Sequence, residues 1–235
     1  MARRIRTLLA IGDIRGEVEP LKRVLERLPE TGADAVAATG DLGAAWSKAD
    51  TYREIFRTLG EAGRPTFWVP GPTDAPLDDH LREAHNLEIA FPLLHGVHGT
   101  AVQADGQLLF AGMGGEIVDD PAAKRGEEAL LRYPGWEVEY RLKIIREFKD
   151  RRMVFLFTTP PAHKGLHGQG SEVLAELIKT YNPRVVLVRG EGVAEGRIGK
   201  SLIVSPGRLD QGEYAVVDLH ELTVEASVPA AGTAV

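Results

Sequence analysis

Four short loops carry the residues that could do chemistry, and each closes an apolar run. They are Gly12-Asp13-Ile14-Arg15-Gly16, Gly40-Asp41-Leu42, Gly71-Pro72-Thr73-Asp74, and Thr158-Thr159-Pro160-Pro161 with His163 and His167 just behind. Asp13 and Asp41 each follow a glycine, and Arg15 stands beside them as a ready partner for charge-assisted hydrogen bonds. His163 and His167 lie in a glycine-rich loop ahead of a helix start, a setting that suits an anion. Each residue also has a bland alternative. A loop aspartate commonly bonds nearby backbone amides, a loop histidine is usually structural, and an arginine usually faces solvent.

The elements that must position these loops decide between the two. Ile5–Ile11, Ala35–Thr39, Thr66–Val69 and Met153–Phe157 read as buried strands, and each is followed by a helical pattern. Apolar runs alternating with helical segments imply parallel strands in a layered α/β domain. The loops at the carboxyl ends of such strands converge on one crevice, where ligands bind.

Helices are expected from Pro20 to about Leu28, from a Ser47 cap through Ala62, over Asp74–Ala84, from Pro134 to about Lys149, and from a Ser171 cap to Thr180. In the fourth of these, Trp136, Tyr140, Ile144, Ile145 and Phe148 form the apolar stripe. Leu87–Leu94 is expected as a brief strand and turn. Ala104-Asp105-Gly106 between two alternating runs signals a hairpin, where pairing switches to antiparallel. Asp119–Glu128 reads as a loop or cover. Val185–Val188, Ser201–Val204 and Tyr214–Leu219 are three further strands. Residues 1–228 are expected as a single domain, and 229–235 as a disordered small-residue tail.

Composition removes several functions. A net charge of −6 offers no basic field, so nucleic acid is not an expected partner. The chain has no cysteine, which excludes disulfides and thiolate metal sites. The apolar run after Arg3, Arg4 and Arg6 is too short to span a membrane and lacks a cleavage pattern, so a cytoplasmic location is expected and no membrane partner. Gly112-Met113-Gly114-Gly115-Glu116 lacks the spacing of a dinucleotide loop. Trp46, Trp68 and Trp136 read as packing residues.

The order GDxxG, GD, GxxD, TxPP resembles the calcineurin-like metallophosphoesterase superfamily, from about Ile5 to Asp218. PGPTDAP, LRYPGWEVEYRLK and HKGLHGQGS resemble a small prokaryotic branch of it. The resemblance implies a two-sheet β-sandwich flanked by helices, in α/β/β/α layers. It also implies phosphoester hydrolysis at two metal ions held by the motifs GDxHG, GDxxD, GNHD or GNHE, THxPP and GHxH. Of those ligand positions the sequence keeps Asp13 and Asp41 as candidate metal residues. Arg15, Pro72, Thr73 and Thr158 stand where the others fall, and neither register of Arg189-Gly190-Glu191-Gly192-Val193 supplies a histidine. A guanidinium cannot coordinate a metal.

Three readings follow. In the first, the chain keeps the fold with a degenerate site and no expected cofactor. It binds a small anionic or phosphorylated ligand, or a protein partner, with little hydrolysis. Asp13, Arg15, Asp41, Asp74, Thr158, His163, His167, Arg189 and Glu191 form its pocket. In the second, it is a metal-dependent phosphoesterase with one metal or an unusual ligand set, using Asp13, Asp41, His163 and His167 with Mn, Fe or Zn. A third and remoter reading is a structural partner subunit whose crevice is vestigial. Under the first reading the two carboxylates need a replacement cation. The guanidinium of Arg15, Arg189 or both is expected in the vacated space. Catalytic residues and oligomeric state are not readable from the sequence.

Overall fold

The computed structural model describes residues 4–163 and 170–227. Its strands begin with β1 (Thr7–Ile11), β2 (Ala35–Ala38), β3 (Thr66–Trp68) and β4 (Leu94–Gly96). There follow β5 (Thr100–Gln103), β6 (Leu108–Met113), β7 (Glu116–Val118), β8 (Arg132–Pro134) and β9 (Arg152–Phe157). The last are β10 (Val185–Leu187), β11 (Val193–Ile198), β12 (Ser201–Pro206), β13 (Tyr214–Asp218) and β14 (Thr223–Ser227). One sheet has the order β14-β13-β1-β2-β3-β4, the second β11-β12-β10-β9-β6-β5, and β7 and β8 form a small pair. Pairing among β1, β2, β3 and β4 is parallel, as it is among β6, β9, β10 and β12. Antiparallel strands close the edges at β13, β14, β11 and β5.

The continuous apolar runs are explained by burial on both faces, as parallel central strands require. Alternate residues of β1 show the division: Leu8 and Ala10 enter the core between the sheets, while Leu9 and Ile11 face the helical layer. Phe67 and Phe110 meet across the sandwich with ring centroids 3.6 Å apart. Helices α1 (Val18–Glu26), α2 (Leu28–Thr31), α3 (Ala49–Glu61) and α4 (Leu77–Ala90) contribute to the outer core of the first sheet. Helices α5 (Gly135–Arg141) and α6 (Glu172–Tyr181), with a 3₁₀ segment over Leu142–Phe148, cover the second. This is the expected four-layer sandwich.

Four local expectations need correction. Ser47 does not cap α3: its hydroxyl accepts from Ala44 N, and the helix starts at Ala49 behind Lys48. The helix after Pro76 runs on to Ala90 rather than stopping at Ala84, because Ala84 and Leu87 continue a buried face. Leu87–Ala90 is therefore helical where a strand and turn are expected, and β4 begins only at Leu94. The segment after Pro134 is not one α-helix but α5 followed by the 3₁₀ segment. Its inward face is Val138, Leu142 and Ile145, whereas Trp136, Tyr140 and Ile144 are exposed. The departure begins inside α5, where Val138 and not Trp136 or Tyr140 faces the core, while Ile145 and Phe148 of the expected stripe do pack inward. The edge strands β11 and β14 add to the strands that the sequence pattern predicts. Among the described residues no helix is long and apolar enough to cross a membrane.

Candidate functional site

The first two loops are tied together by backbone. Asp13 N donates to Gly40 O, Arg15 N to Asp41 O and Gly16 N to Leu42 O, at 3.1, 2.9 and 2.8 Å. Asp13, Arg15 and Asp41 all take left-handed backbone, with φ of 48°, 52° and 46°. That conformation is uncommon for residues other than glycine and costs of order 1–3 kcal/mol each, so the surrounding bonds must hold it. The strain aims the two carboxylates into one crevice, where each is only 1% exposed.

Arg189 enters from the other sheet. It follows β10, and its N–H donates to Thr158 O at 3.3 Å, which joins it to the loop after β9. Its Nε–H donates to both carboxylate oxygens of Asp13 at 3.0 Å, and Nε also stands 3.0 Å from Asp41 Oδ2. Arg15 Nε donates to Asp13 Oδ1 at 3.0 Å. Asp41 Oδ1 accepts from Thr73 N at 3.0 Å and from the Thr73 hydroxyl at 2.8 Å. Two buried carboxylates of like charge are costly unless a cation is shared between them. Burial alone would pull the Arg189 pKa down. The charges of Asp41 and Asp13 outweigh it, and the net shift is upward.

Asp74 does not reach the crevice. It is fully buried beneath it, where its carboxylate accepts from Leu42 N, Gly43 N and Gly71 N at 3.0, 2.7 and 2.6 Å and from the Tyr52 hydroxyl at 3.2 Å. Burial, with the nearby Asp41 charge, pushes its pKa up to about 7, while the three backbone N–H groups oppose the rise. Four donors aimed at two oxygens suit the carboxylate form best. Asp74 therefore works as a brace between the second and third loops.

Thr158 is buried and donates to Pro70 O at 2.9 Å, locking the fourth loop to the third. Arg189 and Thr158 line an open cleft of about 460 Å³, with Arg132, Thr159, Pro160 and Glu191. Arg132 is paired with Glu116 at 2.7 Å. His163 lies beyond Pro160 and Pro161 and outside that lining, and His167 lies outside the described residues. The N-terminus of α6 is occupied from within. Asp119 accepts from the Ser171 hydroxyl at 2.5 Å and from Glu172 N at 2.6 Å, and Ser171 caps the helix through Leu174 N. An internal carboxylate thus sits at the helix end considered for an external anion.

Sequence reasoning missed Thr73, Tyr52, Asp119, Thr159 and Arg132. Thr73, Thr159 and Arg132 lie within stretches that stand out by pattern. Nothing in the sequence marks Tyr52 or Asp119, whose partners are 22 and 52 residues away.

A family model described as metallophosphoesterase, calcineurin superfamily, matches residues 1–228. The chain belongs to this superfamily. A crystal structure of TT1561 from Thermus thermophilus is 45% identical, with a TM-score of 0.91 over 95% of this chain and 99% of that one. A second crystal structure is 28% identical with a TM-score of 0.87 over the same shares. An archaeal phosphodiesterase matches at 10% identity and a TM-score of 0.54, covering 95% of this chain and 99% of that one, a likeness of fold alone. No curated protein matches the chain.

Metallophosphoesterases of this superfamily usually hold divalent metals, and the described residues around Asp13 and Asp41 do not fit a metal pair. Among the described residues no three histidine, aspartate or glutamate side chains gather in a metal-binding group. Asp13 and Asp41 meet a guanidinium, Asp74 is committed to backbone donors, and Pro72, Thr73 and Thr158 offer no imidazole or amide. A further obstacle is space. A Cβ at Gly71 would lie 2.0 Å from Asp41 Oδ1, so the third loop is pressed directly against the second carboxylate.

Proposed function

We propose that this metallophosphoesterase-fold chain binds a small anionic or phosphorylated ligand beside Arg189 and hydrolyses phosphoesters little or not at all. The single observation that carries this reading is Arg189 Nε at 3.0 Å from carboxylate oxygens of both Asp13 and Asp41. A fixed guanidinium there supplies the positive charge that buried carboxylates need, but it supplies no Lewis acid and no bound hydroxide. The hydrogen bonds of the Arg189 guanidinium to described residues run through Nε alone. Its terminal nitrogens are left to a ligand in the adjoining cleft, where planar donors suit phosphate or carboxylate oxygens. The Thr159 hydroxyl already donates to Gly115 O at 3.1 Å, so it positions the wall rather than the ligand.

Two measurements on the full chain test the reading. Turnover of bis-p-nitrophenyl phosphate with added Mn²⁺, Zn²⁺ or Fe²⁺ is expected to stay at the protein-free blank. Titration calorimetry with inorganic phosphate and AMP is expected to show saturable binding by at least one of them, weakened at least about tenfold in Arg189→Lys, which loses the planar fork. Sustained metal-dependent turnover abolished by Asp41→Ala overturns the reading, as does binding unchanged by Arg189→Lys.

A further inference from the structure

At the opposite end of the second sheet lies a larger cavity of about 890 Å³, and its wall is basic. Arg146, Lys149, Arg151, Arg152, Arg184 and Lys200 line it, and no acidic side chain does. The sheet explains the convergence. Arg152 begins β9, Arg184 immediately precedes β10, and Lys200 sits in the turn between β11 and β12. Arg146, Lys149 and Arg151 arrive from the 3₁₀ segment and the turn after it. Strands β9 and β10 thus have cations at their amino ends and the Thr158–Arg189 cleft at their carboxyl ends.

The six charges are mostly uncompensated. Arg184 donates to the carbonyls of Leu219 and His220, and Arg151 to that of Gly106, so both guanidinium groups are fixed by neutral partners. The carboxylate of Asp105 comes no nearer to Arg152 than 3.9 Å. Arg146, Lys149 and Lys200 are exposed, and none has a carboxylate of the described residues within ion-pair distance. The C-terminus of α6 at Tyr181 accounts for little, since a helix end carries only about half an elementary charge. Self-repulsion among six cations is unfavourable in the free protein, and a bound polyanion relieves it.

We infer that this groove is a second ligand site, for a compact molecule bearing two or more phosphate groups. The cavity lies in the size range of small-molecule sites, roughly 300–1,000 Å³. Met153 and Tyr181 add apolar wall to the charged rim. A nucleic acid fits less well. The chain carries a net charge of −6 despite this cluster, so a long polyanion leaving the groove would meet an acidic surface.

The test is titration calorimetry of the full chain at low salt with sodium tripolyphosphate and with ATP free of added metal. These separate an inorganic polyphosphate from a nucleoside one. Saturable binding of either is expected at one groove site. The charge reversal Arg146→Glu/Lys149→Glu/Lys200→Glu, at three exposed positions, should weaken it about 100-fold or more, because three charge-assisted partners of the phosphates become repulsive. Raising the salt should weaken the native protein far more than the variant. If the triple variant does not fold, judged by circular dichroism, Lys149→Glu alone should weaken binding about fivefold or more. Arg189→Lys separates the two sites, because groove binding should stay within about twofold of the native value. Overturning results are no tripolyphosphate or ATP binding, equal binding by native and reversed chains, or loss on Arg189→Lys. A 20-nucleotide single strand that binds more tightly than tripolyphosphate would also reject a compact ligand.

Discussion

The two ends of β9 and β10 treat charge in opposite ways. At the carboxyl ends, buried Asp13 and Asp41 share the Nε of Arg189 at 3.0 Å, inside loops held in left-handed backbone. At the amino ends, six cations crowd a groove with no acidic lining. The first arrangement is closed on itself and bears on stability. The second is open and bears on what the surface attracts. Removing a charge should therefore unfold one end and leave the fold of the other untouched.

The sharpest contrast comes from Arg189→Ala. It leaves two carboxylates buried with only the half-exposed Arg15 nearby, and it should cost about 3 kcal/mol in urea denaturation. Lys149→Ala, read in the same assay, should stay within about 0.5 kcal/mol. Equal effects at the two positions would erase the comparison. Next comes Asp74→Asn, which turns an NH₂ toward backbone donors that need an acceptor. A loss of about 2 kcal/mol is expected.

A third prediction uses pH. His80 is buried with its Nδ1 2.7 Å from Asp74 O, so that nitrogen carries the proton of a neutral ring, and burial pushes its pKa down to about 4. An unfolded histidine titrates near 6.5. The unfolded chain therefore binds the extra proton first, and stability from this ring is full above pH 6.5 and lost as pH falls toward 4. His80→Gln should destabilise at pH 7, with the gap to the native protein narrowing by pH 4.5 in denaturant titrations. A gap that widens on acidification would contradict a neutral buried ring. The smallest effect should be Arg15→Ala. Its side chain is 35% exposed and Asp13 keeps Arg189, so less than about 1 kcal/mol is expected.

How far the sequence reveals these features depends on how local they are. The loops at Asp13, Asp41 and Thr158 follow apolar runs, and a run of five or six apolar residues needs only its neighbours to be recognised. The guanidinium contact is an expectation built on the superfamily pattern and on the cost of paired carboxylates. The sequence does not say which arginine makes it, because Arg189 is 176 residues from Asp13. Both arginines reach Asp13, and only Arg189 is also paired with Asp41. Asp74 reads as a pocket residue because a GxxD loop looks the same whether its carboxylate points out or accepts three backbone N–H groups beneath. Strands β11 and β14 carry no apolar run, since much of each faces solvent at a sheet edge. The stripe after Pro134 fails for a different reason: large apolar residues occur on two faces of the segment. The face that is buried carries Val138, Leu142 and Ile145, while Trp136, Tyr140 and Ile144 stay exposed.

The Asp13–Arg189–Asp41 contact also bears on supply. A cation borrowed from solution ties the cohesion of a crevice to the medium, because stability then follows the free metal concentration by mass action. Sites of oxygen and nitrogen donors also bind several divalent transition ions in a common order of affinity, so metal availability helps to decide which ion is held. Here the balancing charge is part of the polypeptide and present in every copy as it is synthesised. The loops around Asp13 and Asp41 should then hold together equally well in chelator, in metal starvation and in metal excess.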